Sequence, residues 1–354
     1  MKPMKSAAVG ASCLVGLIVS SAAADQIYWA ARDTHAIKRA NLDGTGVEVV
    51  VNLGSDTPWG LALDPHGRKV YWAQTNPFPG RIQRANLDGT NVETIFTDPN
   101  NLNEFGLAID VTGGKLYWTS LVTNIQKPTP SVRRANLDGT DVEALVTDLP
   151  NPSGWGITLD LVGQKMYFGT GLVQGSLYRA NLDGSGLQQL IFDTGSSAVG
   201  VAVHSGTAKA YWVVEGPMNE GLFRANLTGT SINTFNSNTC RGVALDVTAG
   251  KLYWTDTTFI HRSNLDGSNV ENTILHNENA RGLALCPARY GDLAPPLGID
   301  VDDIDCGLRG FSNNADCPQA DIEPCSGDGD IDVDDLLSAL DAFSGTYACP
   351  HPCP

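Results

Sequence analysis

The chain is poor in charge, and poorest in positive charge. Asp, Glu, Lys and Arg make up 18% of its 354 residues, with 23 basic against 39 acidic side chains and a formal net charge of −16. A nucleic-acid binder needs a basic face to displace phosphate counterions, so that class is excluded. The six histidines (His35, His66, His204, His261, His276, His351) show no H-x-H or H-E-x-x-H spacing, and Gly-x-Ser-x-Gly does not occur. The sequence signatures of a zinc protease helix and of a serine-hydrolase elbow are therefore missing. Long apolar runs are missing too: Ala7 to Val19 is too short and too rich in Gly and Ser for a comfortable transmembrane span, and no other stretch could cross a bilayer.

That one run has a different reading. Lys2 and Lys5 precede it and Ala22-Ala23-Ala24 follow, which is the basic head, apolar middle and small-residue end of a secretory signal over residues 1–24. The mature chain is expected outside the cytoplasm, secreted or periplasmic. Cys13 leaves with the signal, Cys240 stands alone as a buried thiol, and Cys286, Cys306, Cys317, Cys325, Cys349 and Cys353 crowd towards the end. In an exported chain these six read as up to three disulfides of undetermined connectivity, in preference to a zinc cluster. Acid is concentrated there as well. Residues 287–354 hold 14 carboxylates against Arg289 and Arg309, so two kinds of domain are expected.

The middle of the chain is a repeat. An apolar-Tyr-aromatic triplet recurs at Ile27-Tyr28-Trp29, Val70-Tyr71-Trp72, Leu116-Tyr117-Trp118, Met166-Tyr167-Phe168, Ala210-Tyr211-Trp212 and Leu252-Tyr253-Trp254. About ten residues later comes a basic-Ala-Asn-Leu-Asp-Gly unit, as in Arg39 to Gly44 and Arg84 to Gly89, with Thr228 replacing Asp in the fifth copy and Ser263 replacing Ala in the sixth. Each copy ends in a Gly-apolar run such as Gly60-Leu61-Ala62-Leu63-Asp64. The runs are continuous and apolar, as expected of strands buried on both faces, and the Asp-Gly turns read as hairpins. Four short strands at a period of 42–50 residues predict an all-β fold, a six-bladed β-propeller of four-stranded sheets over residues 25–288. The array opens on a second strand, Gln26 to Trp29, and ends on a first strand, Arg281 to Cys286. That last run is expected to complete the first blade and close the ring.

These linked motifs resemble the YWTD repeat, the class B repeat of low-density lipoprotein receptors, across roughly residues 25–286. Only the sixth copy retains the full Tyr253-Trp254-Thr255-Asp256, and no flanking EGF-like module is visible. The resemblance implies the propeller and carries no receptor biology with it.

Two faces follow from strand alternation. Connections between first and second and between third and fourth strands are short and stereotyped, and the others vary, as in the long segment from Thr119 to Val132. Variable loops on a constant scaffold are where binding resides. The residue before each inner-strand glycine opens onto that variable face near the axis: Trp59, Phe105, Trp155, Val199, Arg241 and Arg281. Trp59, Phe105, Trp155, Arg241 and Arg281 are the candidate ligand-binding residues, suited to a peptide, a glycan or an anionic molecule. The competing reading makes the aromatics a channel plug and pairs the arginines with carboxylates such as Glu104. Asp64, Asp110, Asp160 and Asp246 recur in register and read as turn caps. Asn226-Leu227-Thr228 matches a glycosylation sequon, but it falls on the repeat's own hairpin.

Residues 289–354 carry a second, two-fold repeat. Ile299-Asp300-Val301-Asp302-Asp303-Ile304 matches Ile331-Asp332-Val333-Asp334-Asp335-Leu336, and each copy continues with a helical apolar stripe. Asp328, Asp330, Asp332 and Asp335 fit the later positions of a calcium loop around Gly329. The pair resembles a dockerin, which implies a small α-helical module with one calcium as cofactor and a cohesin-like or surface partner. The whole is expected to be an exported, non-enzymatic binding protein with a protein or glycan ligand at the propeller face. A secreted propeller hydrolase or lactonase with a channel metal is the alternative, and a structural surface protein without a discrete ligand is a third.

Overall fold

The computed structural model describes residues 24–287, apart from 77–78, 100–101, 122–131, 148, 150–153, 172–174, 192–193, 195, 217–218, 237–238 and 276–277. Six four-stranded antiparallel sheets stand around one axis. The sheet numbered first here contains Ala280–Pro287, Ala24–Ala31, Ala36–Asn41 and Glu48–Asn52 from the axis outwards. Blades two to six follow in chain order, with inner strands Thr57–Asp64, Asn103–Asp110, Gly154–Asp160, Ser197–His204 and Val243–Asp246. The ring closes where the repeat count requires. Leu283 pairs with Trp29, Ala284 with Tyr28 and Leu285 with Ile27, so the first blade takes its inner strand from the last segment of the array.

Each recurrent residue has a recurrent job. The ring that follows Tyr is buried between blades, with Trp29, Trp72 and Trp118 fully inaccessible. It faces a third-strand residue across the sheet, and three such pairs are stacked rings: Phe168 with Tyr178, Trp212 with Phe223 and Trp254 with His261. The arginine of the Arg-Ala-Asn-Leu unit reaches the neighbouring blade. Arg84, Arg134, Arg179 and Arg224 each donate to the carbonyl of the next unit's leucine, at Leu137, Leu182, Leu227 and Leu265. The same arginines pair along their own blade, as in Arg84 with Glu93 and Arg134 with Glu143. Those carboxylates are about half exposed, so the backbone contact matters more than the ion pair.

The turns explain the acidic registers. Asp64, Asp110 and Asp160 each accept from the backbone N–H three residues on, at Gly67, Gly113 and Gly163, all at 2.8 Å. Asp246 does the same for Ala249. In the Asp-Gly hairpins Gly44, Gly89, Gly139, Gly184, Gly229 and Gly267 all take positive φ, the conformation that makes glycine recur there.

Packing at the axis depends on a second set of glycines. A Cβ on Gly60 would sit 2.0 Å from the Phe105 carbonyl oxygen and 2.8 Å from the Leu107 nitrogen. One on Gly106 would meet the Trp155 carbonyl at 2.1 Å, and one on Gly282 the Trp59 carbonyl at 2.5 Å. Inner strands of neighbouring blades thus approach backbone to backbone. Between the fifth and sixth blades the fit is looser, and a Cβ on Gly200 would find its first neighbour at 3.4 Å.

Two cysteines receive definite places. Cys240 is a free, buried thiol whose pKa burial pushes up to about 12. Cys286, grouped above with the tail cysteines, is instead fully buried in the inner strand of the first blade, in a cluster with Tyr28 and Val70. Residues 1–23, the calcium positions Asp328, Asp330, Asp332 and Asp335, the paired helices and the other tail cysteines lie outside the described residues.

The glycine waist makes a direct test. Gly60→Ala is expected to cost about 2–3 kcal/mol, or roughly 5–10 °C in melting temperature, because the obstructing atoms are backbone. Gly200→Ala, with room for its methyl, is expected to stay within about 2 °C of the parent in the same thermal melt.

Candidate functional site

The inner strands leave the variable face and run to the hairpin face, and at the variable end their register breaks. Pairing slips between Pro58 and Leu61, Glu104 and Leu107, Gly154 and Ile157, and Ala198 and Gly200. A bulge turns a side chain out of the sheet plane. Here it falls at or beside the residue before the waist glycine, and side chains from several blades meet over the axis.

The aromatic half is a single cluster. Ring centroids of Trp59 and Phe105 are 4.7 Å apart, those of Phe105 and Trp155 4.6 Å, and those of Trp59 and Trp155 5.4 Å. Trp59 is 8% exposed and Phe105 4%, so their faces are spent on each other. Trp155 is half-buried and donates its indole N–H to the Gly171 carbonyl.

The basic half is joined to it. The Arg281 guanidinium lies 4.5 Å from the Trp59 centroid, and Arg32, which follows the second strand of the first blade, lies 4.8 Å from it. Arg281 is buried and forms a two-pronged pair with Glu215, Nη2 to Oε1 at 2.8 Å and Nη1 to Oε2. Arg241 approaches the same carboxylate at 3.7 Å. The arginines' partner is therefore Glu215, reaching over from the fifth blade, and not Glu104. Arg32 and Glu215 both stand three residues after the aromatic of their Tyr-Trp pair, so the repeat puts them at equivalent positions, but their residue types do not recur and they are not among the residues singled out from the sequence.

Glu104 belongs to another buried group, on the blade-two side of the third blade. Arg133 Nη1 contacts both Asp98 and Glu104, the latter at 3.0 Å, and Ser120 donates to Glu104 at 2.6 Å. One guanidinium serves two carboxylates away from solvent. Burial pushes the Glu104 pKa up to about 8 and the neighbouring Asp98 adds to the rise, against the pull of Arg133 and Ser120. Across the ring closure the corresponding place is filled differently. Glu278 accepts from Trp29, Thr34 and Lys38 at 2.7–2.9 Å, and although burial opposes its ionisation these donors hold its pKa below the usual value.

Below the cluster lies the channel, a cavity of about 390 Å³. Its wall is mainly Leu, Ile, Val, Ala and Gly of the six inner strands, with Trp59 at the cluster end and Leu161 and Val247 at the other, and Thr158 and Arg241 bring a hydroxyl and a guanidinium to it. Exposure rises towards the hairpin face, from the buried Phe105 to the half-buried Ile109, and the rim residues Leu161 and Val247 are 39% and 50% exposed. The variable-face end is the closed one. Among the described residues no group of three or more His, Cys, Asp or Glu is placed to hold a metal ion.

Comparison with known proteins agrees on architecture. The chain is similar to a chain of the nidogen/laminin complex, with a TM-score of 0.63 and 20% identity, covering 73% of this chain and 97% of that one. TolB from Acinetobacter baumannii gives a TM-score of 0.60 at 14% identity, covering 74% and 67%. A gluconolactonase from Xanthomonas campestris gives 0.52 at 17%, covering 78% and 97%. These likenesses establish the fold, and they range from a chain of a protein complex to a gluconolactonase. In sequence, 85 residues are 31% identical to protein cueball of Drosophila willistoni, which is 23% of this chain and 13% of that protein's length. No family model matches the chain. Among the described residues no helix is long and apolar enough to cross a membrane.

The Glu104 group sets a pH dependence whose sign is determined. With its pKa raised by burial, this carboxyl holds its proton to higher pH in the fold than in the unfolded chain, so folding takes up a proton between the ordinary carboxylate range and about 8. Its contribution is fullest below the ordinary carboxylate range and is lost as pH rises towards 8. Glu104→Gln is expected to flatten that decline and raise the melting temperature at pH 8.5 by roughly 3–6 °C, with little change at pH 4.5.

Proposed function

We propose that this is an exported, non-enzymatic binding protein whose propeller recognises a protein or glycan partner on its variable-loop face, close to the axis. One observation carries the reading. The aromatic and guanidinium side chains converge at that end, while among the described residues the channel wall offers one hydroxyl and one guanidinium and no carboxylate, imidazole or thiol. A lactonase-type propeller needs metal donors on several blades at the axis, and this chain places aliphatic residues at those positions. The likeness to a propeller in the nidogen/laminin complex supports a protein as the partner. The short, stereotyped turns of the hairpin face suit it to structure.

Selection of peptide and glycan arrays on the immobilised chain tests this reading. Binders are expected to lose at least tenfold in affinity to Trp155→Ala and to keep it towards Val162→Glu on the hairpin face. Equal loss in both, or metal-dependent turnover of gluconolactone well above buffer, would overturn it.

The tail supplies the second half of the proposal: residues 289–354 bind one calcium through Asp328, Asp330, Asp332 and Asp335 and dock to a cohesin-like or surface partner. The matched Asp-rich loops and apolar stripes of the sequence support it. Calcium added to the chelator-treated full chain is expected to raise helical circular dichroism at 222 nm, an increase that Asp335→Ala abolishes. Unchanged ellipticity would remove the calcium module.

A further inference from the structure

The variable-face cluster holds more positive charge than its own carboxylate uses. Arg241 and Arg281 both approach Glu215, Arg281 alone takes both of its oxygens, and Arg32, over the Trp59 ring, lies within electrostatic reach of it. Arg241 keeps only the 3.7 Å approach, and its Nε is buried without a hydrogen-bond partner. Among the described residues the Arg32 guanidinium makes no hydrogen bond or ion pair, and it lies over the Trp59 ring.

Two further carboxylates lie within electrostatic reach, Asp33 of both Arg32 and Arg241 and Asp256 of Arg241, but among the described residues neither forms an ion pair with these arginines. Asp33 accepts from the Asn279 N–H at 3.1 Å, and Asp256 accepts from the Thr258 and Phe259 N–H groups and contacts His261. At both Arg32 and Arg241 the pKa lies below the usual guanidinium value, through burial first and then the positive charge of Arg281, and the nearby carboxylates do not cancel this. Two guanidinium groups are thus held half-buried, close to a third, with no hydrogen-bond acceptor of their own among the described residues.

We infer that Arg32 and Arg241 form a carboxylate-binding subsite that receives an acidic side chain of a protein partner, with the Arg281–Glu215 pair and Trp59 as its fixed floor. The inference rests on the reading of the variable face as the binding face and names the chemistry recognised there. Glu215 shows that a carboxylate fits among these guanidinium groups, and a second would satisfy the two donors that the first leaves over. A glycan would instead use an open aromatic face for stacking. Trp59 and Phe105 have none to offer, because Trp59 is buried against Phe105 and two guanidinium groups and Phe105 against Trp59 and Trp155.

Fluorescein-labelled hexaglutamate, read by polarisation against the full chain at low salt, tests the subsite. Saturable binding is expected, weakened at least tenfold by Arg241→Glu and by Arg32→Gln, partly retained by Arg241→Lys, and unchanged by Arg68→Glu on the opposite face. Hexalysine is expected not to bind. Thermal melts within about 3 °C of the parent keep a folding defect from imitating the loss, and Arg32→Gln serves if Arg241→Glu does not fold. Hexaglutamate binding that is absent, or equal in wild type and both variants, would overturn the inference. So would tighter binding of a heparin hexasaccharide than of hexaglutamate, which would point to a sulfated glycan. Array binders lost with Trp155→Ala but not displaced by hexaglutamate would leave the binding face standing and remove only the carboxylate subsite.

Discussion

At four of the six blade boundaries the inner strands come closer than side chains allow, and glycine at the waist, at Gly60, Gly106, Gly156 and Gly282, meets that condition. At Gly60, Gly106 and Gly282 even a methyl group would overlap the neighbouring blade's main chain. The close approach holds the residues before those glycines near the axis, where bulges turn their side chains towards one another. Closed geometry and candidate site therefore come from the same constraint. Without the glycines the blades would splay, and Trp59, Phe105 and Trp155 would not be in contact.

The remaining inter-blade contacts are distributed and repetitive. Arginines staple one blade to a leucine carbonyl of the next, buried rings fill the wedges, and aspartates cap the turns. Each is modest by itself, and their number supplies the cohesion. Departures from the repeat mark places where a blade does something particular. Arg133 with Asp98 and Glu104, and Lys38 with Glu278, occupy wedge positions that elsewhere hold Tyr178 or Phe223. Buried charge there fixes particular partners across the blade boundary, and for Glu104 it ties stability to proton uptake.

The two ends of the axis differ in chemistry. The variable-face end is closed by aromatic rings and guanidinium groups, with its positive charge only partly answered by Glu215. The hairpin-face end is open, aliphatic and bordered by Leu161 and Val247. A scaffold of nearly equivalent blades acquires polarity in this way. The short connections repeat the same turn at one face, and the ends of the second strands, where the variable connections begin, bring in Glu215 and Arg32 at the other.

Blade number, strand order and ring closure were legible in the sequence because each depends on local periodicity and on counting. Gly-apolar runs, Tyr-aromatic pairs and Asp-Gly turns recur at short range, and a motif repeated six times cannot alternate out of register. The six positions before the waist glycines were legible for the same reason. What those side chains touch was not. Arg281 and Glu215 are 66 residues apart, and Trp59 and Trp155 come from blades that are not neighbours. Their contacts arise because the inner strands converge and bulge at the axis. Cys286 shows the same division: its spacing grouped it with the tail, and a strand pairing that closes the ring buried it in the first blade.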